Sequence, residues 1–306
     1  MMKIALVGMG KIAHDQHVPA LQASPDWTLA ATVSLDGRSD GQTSFVRIED
    51  MLLARPDIEV VSLCLPPVPR FLVGRAALAA GRHVMLEKPP GATLSEVQNL
   101  VMQARAQGLT LYATWHSRAA AAVALAKVWL TGKTIRSGRI IWREDVRKWH
   151  PGQDWILDAG GMGVFDTGIN AFSILTEIAP DPVHLTAAEL DFPANRQAPI
   201  AARLSLTHGI EADFDFRQEG PQTWDMTLDT DEGSLSLRMG GNLLEIDGEY
   251  AGGESTVMGE YPVLYARMAE LVRRRESEVD LSPMRLVADA FMVGRHTTVG
   301  PFEFTA

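Results

Sequence analysis

The sequence predicts an α/β chain in two parts: an N-terminal doubly wound parallel sheet, then an α+β domain built on an open, mainly antiparallel sheet. Three observations predict it. Up to about residue 114, short apolar runs alternate with helical patterns and mostly lack the in-and-out alternation of a half-exposed sheet, which implies strands buried on both faces. Beyond that point, strands follow one another through short, glycine-bearing connections. The length of 306 residues suggests about two domains at roughly 150 residues each, expected at 1–117 and 118–306.

In the first part, strands are expected at 3–7, 29–34, 60–65, 82–86 and 110–114, with helices at 12–23, 49–54, 70–80 and 95–107 between them. Right-handed crossovers follow for such a β-α-β series. The second part begins with a helix over 118–130 and a strand from 139 to about 147. A loop with Gly160, Gly161 and Gly163 then leads into a helix ending near Ile178. Strands at 183–192, 201–207, 210–216, 224–228, 234–239 and 243–247 are joined at His208-Gly209, Asp231-Glu232-Gly233 and Gly240-Gly241, a pattern of hairpins. Helices over 262–275 and 283–295 complete it. An outer sheet face carrying Phe214, Phe216 and Trp224 is expected to dock a second subunit, giving a homo-oligomer, a dimer.

Composition excludes several classes. A hydrophobic fraction of 46% and a charged fraction of 22% describe a globular chain rather than a disordered one. The net charge of −10 repels phosphate backbones and anionic lipid heads, so neither nucleic acid nor a membrane surface is an expected partner. Cys64 is the only cysteine; it reads as core, forms no internal disulfide and fits a reducing compartment. No apolar run reaches the ~18 residues of a membrane span, and the run around Ile4 to Val7 is too short for a signal segment, so a cytoplasmic protein is expected.

The first strand runs into Gly8-Met9-Gly10-Lys11-Ile12-Ala13, a G-x-G-x-x-A turn before a helix. Gly8 permits the tight turn, Gly10 lets the backbone approach a pyrophosphate, Ala13 keeps helix and sheet close, and the helix start offers N–H donors to phosphates. This predicts a Rossmann domain binding NAD or NADP. At the end of the second strand, Ser34 suits either cofactor, Asp36 favours NAD and Arg38 suits a 2′-phosphate; the balance leans to NAD. Lys11 and Ile12 on the turn, with Pro66, Glu87 and Lys88 at strand ends, complete the expected cofactor set. Lys88 lies where open α/β sheets bind ligands, and desolvation near a cationic nicotinamide would push a lysine toward general-base use. An ion pair with Glu87 or another carboxylate is the alternative.

Glu87-Lys88-Pro89 after the fifth strand, together with the glycine turn, resembles the glucose-fructose oxidoreductase / inositol dehydrogenase / MocA superfamily. Longer stretches bring it near that superfamily's bacterial L-arabinose and D-galactose 1-dehydrogenases: 87–94, Thr114-Trp115-His116-Ser117-Arg118, Glu144-Asp145-Val146-Arg147, Trp149-His150-Pro151-Gly152-Gln153 and 163–170. The resemblance implies oxidation of an aldopyranose at C1 to an aldonolactone, with the hydride passing to nicotinamide. It makes Lys88 catalytic with Asp166 at the C1 hydroxyl, and has Asp166 and Asn170 grip the sugar. Glu144, His150, Trp149 and His116 are implied at the remaining sugar contacts. It further implies a cis peptide at Lys88–Pro89. NADP-preferring arabinose enzymes of this type carry Ser-Arg where this chain has Ser34-Leu35, which argues against strong NADP preference. Oxidation of an inositol, of another sugar carbon or of an imine, and non-catalytic sensing of dinucleotide and sugar, are the alternatives.

The spacing permits these roles. Asp166 and Asn170, four apart on a helix, share a face; Asp166 is equally a first-turn acid favoured by the helix dipole. Six residues of straight strand would hold Glu144 and His150 about 20 Å apart, so the chain must bend after about Val146 if both are to hold one pyranose. Otherwise Glu144 pairs with Arg143 or Arg147, and His150 packs on Trp149. Trp115 either stacks on a ligand or packs. His14 and His17 have no carboxylate or cysteine at metal-ligand spacing and read as structural or cofactor-proximal, with no metal expected.

Overall fold

The computed structural model describes residues 1–35, 43–254 and 259–304. In chain order they form β1 (Met2–Val7), a π-helical turn (Ala13–His17), α1 (Val18–Ala23), β2 (Trp27–Val33), β3 (Thr43–Phe45), α2 (Ile48–Ala54), β4 (Val60–Leu63), α3 (Pro67–Ala79), β5 (His83–Leu86), α4 (Leu94–Gln107) and β6 (Leu111–Ala113). There follow α5 (Val123–Leu130), β7 (Ile135–Arg143), α6 (Val146–Trp149), α7 (Phe165–Ile178), β8 (Leu185–Pro193), β9 (Ala201–Leu206) and β10 (Ile210–Asp215). The last are β11 (Thr223–Thr230), β12 (Gly233–Arg238), β13 (Leu243–Ile246), β14 (Glu249–Gly253), α8 (Glu260–Arg274), α9 (Ser282–Val293) and β15 (Arg295–Val299).

The chain divides into two compact units, Met1–His116 with Gly259–Asp280, and Ser117–Met258 with Leu281–Ala306. A single boundary after residue 117 therefore misplaces α8. Its apolar stripe of Tyr261, Leu264, Tyr265 and Met268 packs in the first unit with Ile4, Leu6, Leu21 and Trp27, and the Trp27 indole donates to the Tyr265 carbonyl at 2.9 Å.

The first unit holds a parallel sheet in the order β3-β2-β1-β4-β5-β6. Period two assigns its side chains: Ile4 and Leu6 enter the core under α1 and α8, while Ala5 and Val7 enter the opposite core with Leu63, Leu78 and Leu100. Strand order reverses beside β1, the switch point at which doubly wound sheets bind ligands. α4 starts where the Thr93 hydroxyl accepts from the Glu96 N–H at 3.2 Å and ends at left-handed Gly108. The helix expected over 12–23 opens instead as the π turn.

The second unit holds a mixed, mainly antiparallel nine-stranded sheet in the order β14-β13-β12-β11-β7-β10-β9-β8-β15. Its parallel pairs are β7 with β10 and β8 with β15. The expected 118–130 helix becomes α-helical only at Val123, because the Ala122 N–H is bonded to the Gly241 carbonyl. Phe214 and Phe216, expected on the outer face, are fully buried. Phe214 meets Phe165 and Phe172 of α7 edge-on, with centroids 6.1 and 5.2 Å away. The opposite face instead carries ion pairs, with Ile141 among them: Arg143 with Asp213, Arg203 with Glu189 and Asp191, Arg217 with Asp215, Arg238 with Asp225 and Glu245. Among the described residues, no helix is long and apolar enough to cross a membrane.

Candidate active site

In the first unit, Gly8 ends β1 at φ +93°, and a Cβ there would stand 2.9 Å from the Leu65 backbone nitrogen, so no side chain fits. A Cβ on Gly10 would meet nothing within 4 Å. That open backbone at the switch point is the cradle a dinucleotide pyrophosphate requires, and the residues fit the group. Lys11 pairs with Asp15, Ile12 is partly exposed, and Ala13 is buried against the sheet. The Ser34 N–H donates to the Phe45 carbonyl at 2.9 Å, and Leu35 beside it is exposed. Asp36 and Arg38 lie outside the described residues. Pro66 sits past β4 as the residue preceding α3. Two variants separate these glycines. Gly8→Ala should destabilise the fold by about 2 kcal/mol or more through clash and strain, while Gly10→Val should leave the melting temperature near wild type and cut dinucleotide affinity about tenfold or more. Thermal melts and nucleotide titration check both.

Lys88 follows β5, and its peptide to Pro89 is cis, as the resemblance implies. Glu87 is buried, and its carboxylate is engaged within the unit. One oxygen accepts from the Tyr261 hydroxyl at 2.8 Å and lies 3.2 Å from His17 Nε2; the other accepts the Lys88 backbone N–H at 2.7 Å. His17 Nδ1 is 2.7 Å from the Tyr265 hydroxyl. Burial alone would raise the Glu87 carboxyl, but the hydrogen bond and charge of His17, the charge of His116 and the Tyr261 hydroxyl outweigh it and hold the group well below the usual carboxylate range. Burial likewise opposes protonation of His17, and Cys64, Tyr265 and Glu87 reverse that, leaving its pKa well above the ordinary value. His116, implied as a sugar contact, has Nδ1 2.5 Å from a Glu260 carboxylate oxygen and stacks on Tyr261. Its burial works against the charged form, yet Glu260 and Glu87 raise its pKa. Trp115 is buried and donates its indole N–H to the Asp280 carbonyl at 2.9 Å, the packing reading.

Sequence reasoning missed Arg70, Tyr261, Tyr265 and Glu260. Arg70 is buried and donates to the Glu87 carbonyl at 2.5 Å, and also to the Pro89 and Leu65 carbonyls, tying together the ends of β4 and β5. A lone arginine in the apolar run Val68-Pro69-Arg70-Phe71-Leu72 was the available signal.

The second unit gathers Glu144, Trp149, His150, Asp166 and Asn170. The strand stops at Arg143 and α6 turns the chain, which is the required bend. Glu144 is buried. One of its carboxylate oxygens accepts from the Trp224 indole at 2.9 Å and the Thr167 hydroxyl at 3.2 Å. The other, Oε1, has no hydrogen-bond partner among the described residues and lies 3.4 Å from His150 Nε2. His150 Nε2 is also 3.9 Å from an Asp166 carboxylate oxygen. Asp166 is buried in the first turn of α7, with Asn170 one turn on. Gly168 between them is where α7 meets the sheet: a Cβ would lie 2.5 Å from the Phe214 ring. Trp149 is half-exposed with its ring 5.1 Å from Trp224, which stacks on Trp142 at 6.2 Å. Two carboxylates, an imidazole and a partly exposed indole are groups able to exchange hydrogen bonds with hydroxyls and to cover an apolar C–H face. Among the described residues, no cluster of His, Cys, Asp or Glu could hold a metal ion.

Residues 2–114 match the model of the Gfo/Idh/MocA oxidoreductase family with an NAD-binding Rossmann fold. Over 306 residues, covering 98% of both chains, the sequence is 40% identical to galactose 1-dehydrogenase of Pseudomonas fluorescens. The crystal structure of D-galactose-1-dehydrogenase from Rhizobium etli is 50% identical, with TM-score 0.93 over 99% of this chain and 98% of that one. A 3-ketoreductase from Actinomadura kijaniata, solved with NADP and TDP-benzene, shares the fold at 19% identity, with TM-score 0.81 over 97% of this chain and 99% of that one.

Proposed function

The chain belongs to the glucose-fructose oxidoreductase / inositol dehydrogenase / MocA family of oxidoreductases, and from that premise we propose that it oxidises an aldopyranose at C1 to the aldonolactone. The observation that carries the reading is the match to two galactose 1-dehydrogenases along at least 98% of the chain, so that it covers both units. D-Galactose is the first substrate of the proposal. L-Arabinose, which shares its ring hydroxyl configuration and lacks the C5 hydroxymethyl, is the second.

The roles follow from the chemistry of each group. A nicotinamide held at the glycine loop would supply the acceptor for the hydride leaving C1. Lys88 and Asp166 take charge of the C1-hydroxyl proton as that oxygen becomes a carbonyl. Glu144 Oε1 accepts a ring hydroxyl, His150 and Asn170 bond others, and Trp149 covers a C–H face of the sugar. Glu144→Gln should therefore raise the sugar KM about tenfold with a smaller change in kcat, since a charged hydrogen bond made in both ground and transition states is what it removes. Steady-state kinetics on the purified variant check this.

At the adenosine end, Asp36 carries the lean to NAD and Leu35 the argument against strong NADP preference, with NADP as the alternative; a KM for NADP far below that for NAD would reverse it. The protein is proposed to be cytoplasmic and a homodimer. With Phe214 and Phe216 buried, a dimer formed through the outer sheet face would be polar, and its mass should fall toward the monomer between low and high salt. Sedimentation at both ionic strengths reads that directly; a dimer indifferent to salt uses another face. The function itself is tested by initial rates of nicotinamide reduction on a panel of aldoses and inositols with each dinucleotide. Reduction with galactose or arabinose is expected. Failure of every aldose while dinucleotide binds would replace this reading with the inositol, imine or sensor alternatives.

A further inference from the structure

We propose that His17 and Tyr261 are positioning residues for Lys88, acting through the buried Glu87 carboxylate. The inference rests on the reading of Lys88 as the catalytic lysine. Its basis is a continuous path inside the first unit. His17 lies on the π turn that follows the glycine loop, and Tyr261 lies in the first turn of α8. Both meet the same Glu87 oxygen, at 3.2 and 2.8 Å, and the other oxygen holds the Lys88 backbone N–H at 2.7 Å. The main chain that carries the lysine is thereby fixed from two directions.

The surroundings show what such an arrangement is for. His17 is fully buried, Glu87 and Tyr261 are 4% exposed, and His17 is held from its far side by the Tyr265 hydroxyl, which reaches on to Ser62 Oγ at 3.4 Å. A buried acid, imidazole and two phenols cost more to bury than apolar side chains of the same size would. A core needing only stability would have no use for them beneath a strand end. The π turn places His17 in this contact, and π segments in helices are frequent at functional sites. The glycine loop that would receive the dinucleotide and the lysine that would act on the sugar thus share one hydrogen-bonded frame, in which a change at His17 reaches Lys88 through two bonds.

Two measurements test this, one of them independent of turnover. Selective ¹⁵N-lysine labelling gives one backbone amide signal for each of six lysines, and Lys88→Arg identifies the one from residue 88. In Tyr261→Phe, which removes only the hydroxyl, and in His17→Leu, the Lys88 signal should move while the other five stay in place, those five reporting that the fold is intact. In the kinetic measurement, both variants should lose about tenfold in kcat, with sugar KM and dinucleotide Kd within about twofold of wild type. His17→Gln, whose amide can still donate to Glu87, should recover most of the loss. An unmoved Lys88 signal in both variants, or kcat within twofold of wild type, overturns the inference. If Lys88→Met is itself fully active, the reading of Lys88 fails, and the amide signal alone then decides whether the frame exists.

Discussion

Lys88→Met should lower kcat by about 10²- to 10⁴-fold, the range for loss of a proton-transferring group, with little change in melting temperature. The methionine retains the length and the apolar stem of the lysine. The contact to Glu87 uses the Lys88 backbone N–H, which the substitution leaves in place, and Arg70 holds the turn through carbonyls. What disappears is the amine alone. Lys88→Arg should be nearly as impaired, because a guanidinium keeps its proton throughout the accessible pH range. Single-turnover reduction of nicotinamide, followed at saturating sugar, measures the step itself. A variant within about tenfold of wild type would remove Lys88 from proton transfer.

Asp166→Asn should cost about 10²-fold or more in kcat. The carboxylate is buried in the first turn of α7, 3.9 Å from His150, and the amide is nearly isosteric, so packing survives while the charge and one acceptor are lost. The double variant is more informative than either single one. If Lys88 and Asp166 serve one proton, removing both should cost little more than the worse single change, since residues acting as a unit are strongly non-additive. Losses that multiply would assign the two residues to separate tasks, with Asp166 holding a hydroxyl that is not the reacting one. Melting curves on all three variants keep a folding defect from imitating either result.

Much of this site is legible in the sequence because its signals are local. A strand running into Gly8 and Gly10, a lysine at a strand end before proline, and an acid and amide four apart on a helix are each contained in fewer than a dozen residues. The bend expected after about Val146 follows from distance once the resemblance asks Glu144 and His150 to hold one pyranose. What the sequence hides is non-local. The stripe of α8 reveals that one face is buried but not against what, so its return to the first sheet, and with it the Tyr261 contact to Glu87, is invisible until the chain is folded. Strand parity places Phe214 and Phe216 opposite Asp213 and Asp215, yet it does not say which side the helices cover, and the side expected to be exposed is the core. β3, β14 and β15 escape notice because they are short, glycine-bearing or exposed strands with little apolar pattern to read.

The most direct measurement is to incubate the protein with D-galactose deuterated at C1 and oxidised dinucleotide, and to determine the mass of the reduced nicotinamide together with the identity of the sugar product. Oxidation at C1 gives the expected result, a nicotinamide heavier by one deuterium and a galactonolactone that hydrolyses to the acid. Reduction without deuterium transfer would place the oxidation at another carbon and contradict it. So would dinucleotide that binds and is never reduced, with this sugar or with L-arabinose labelled in the same way.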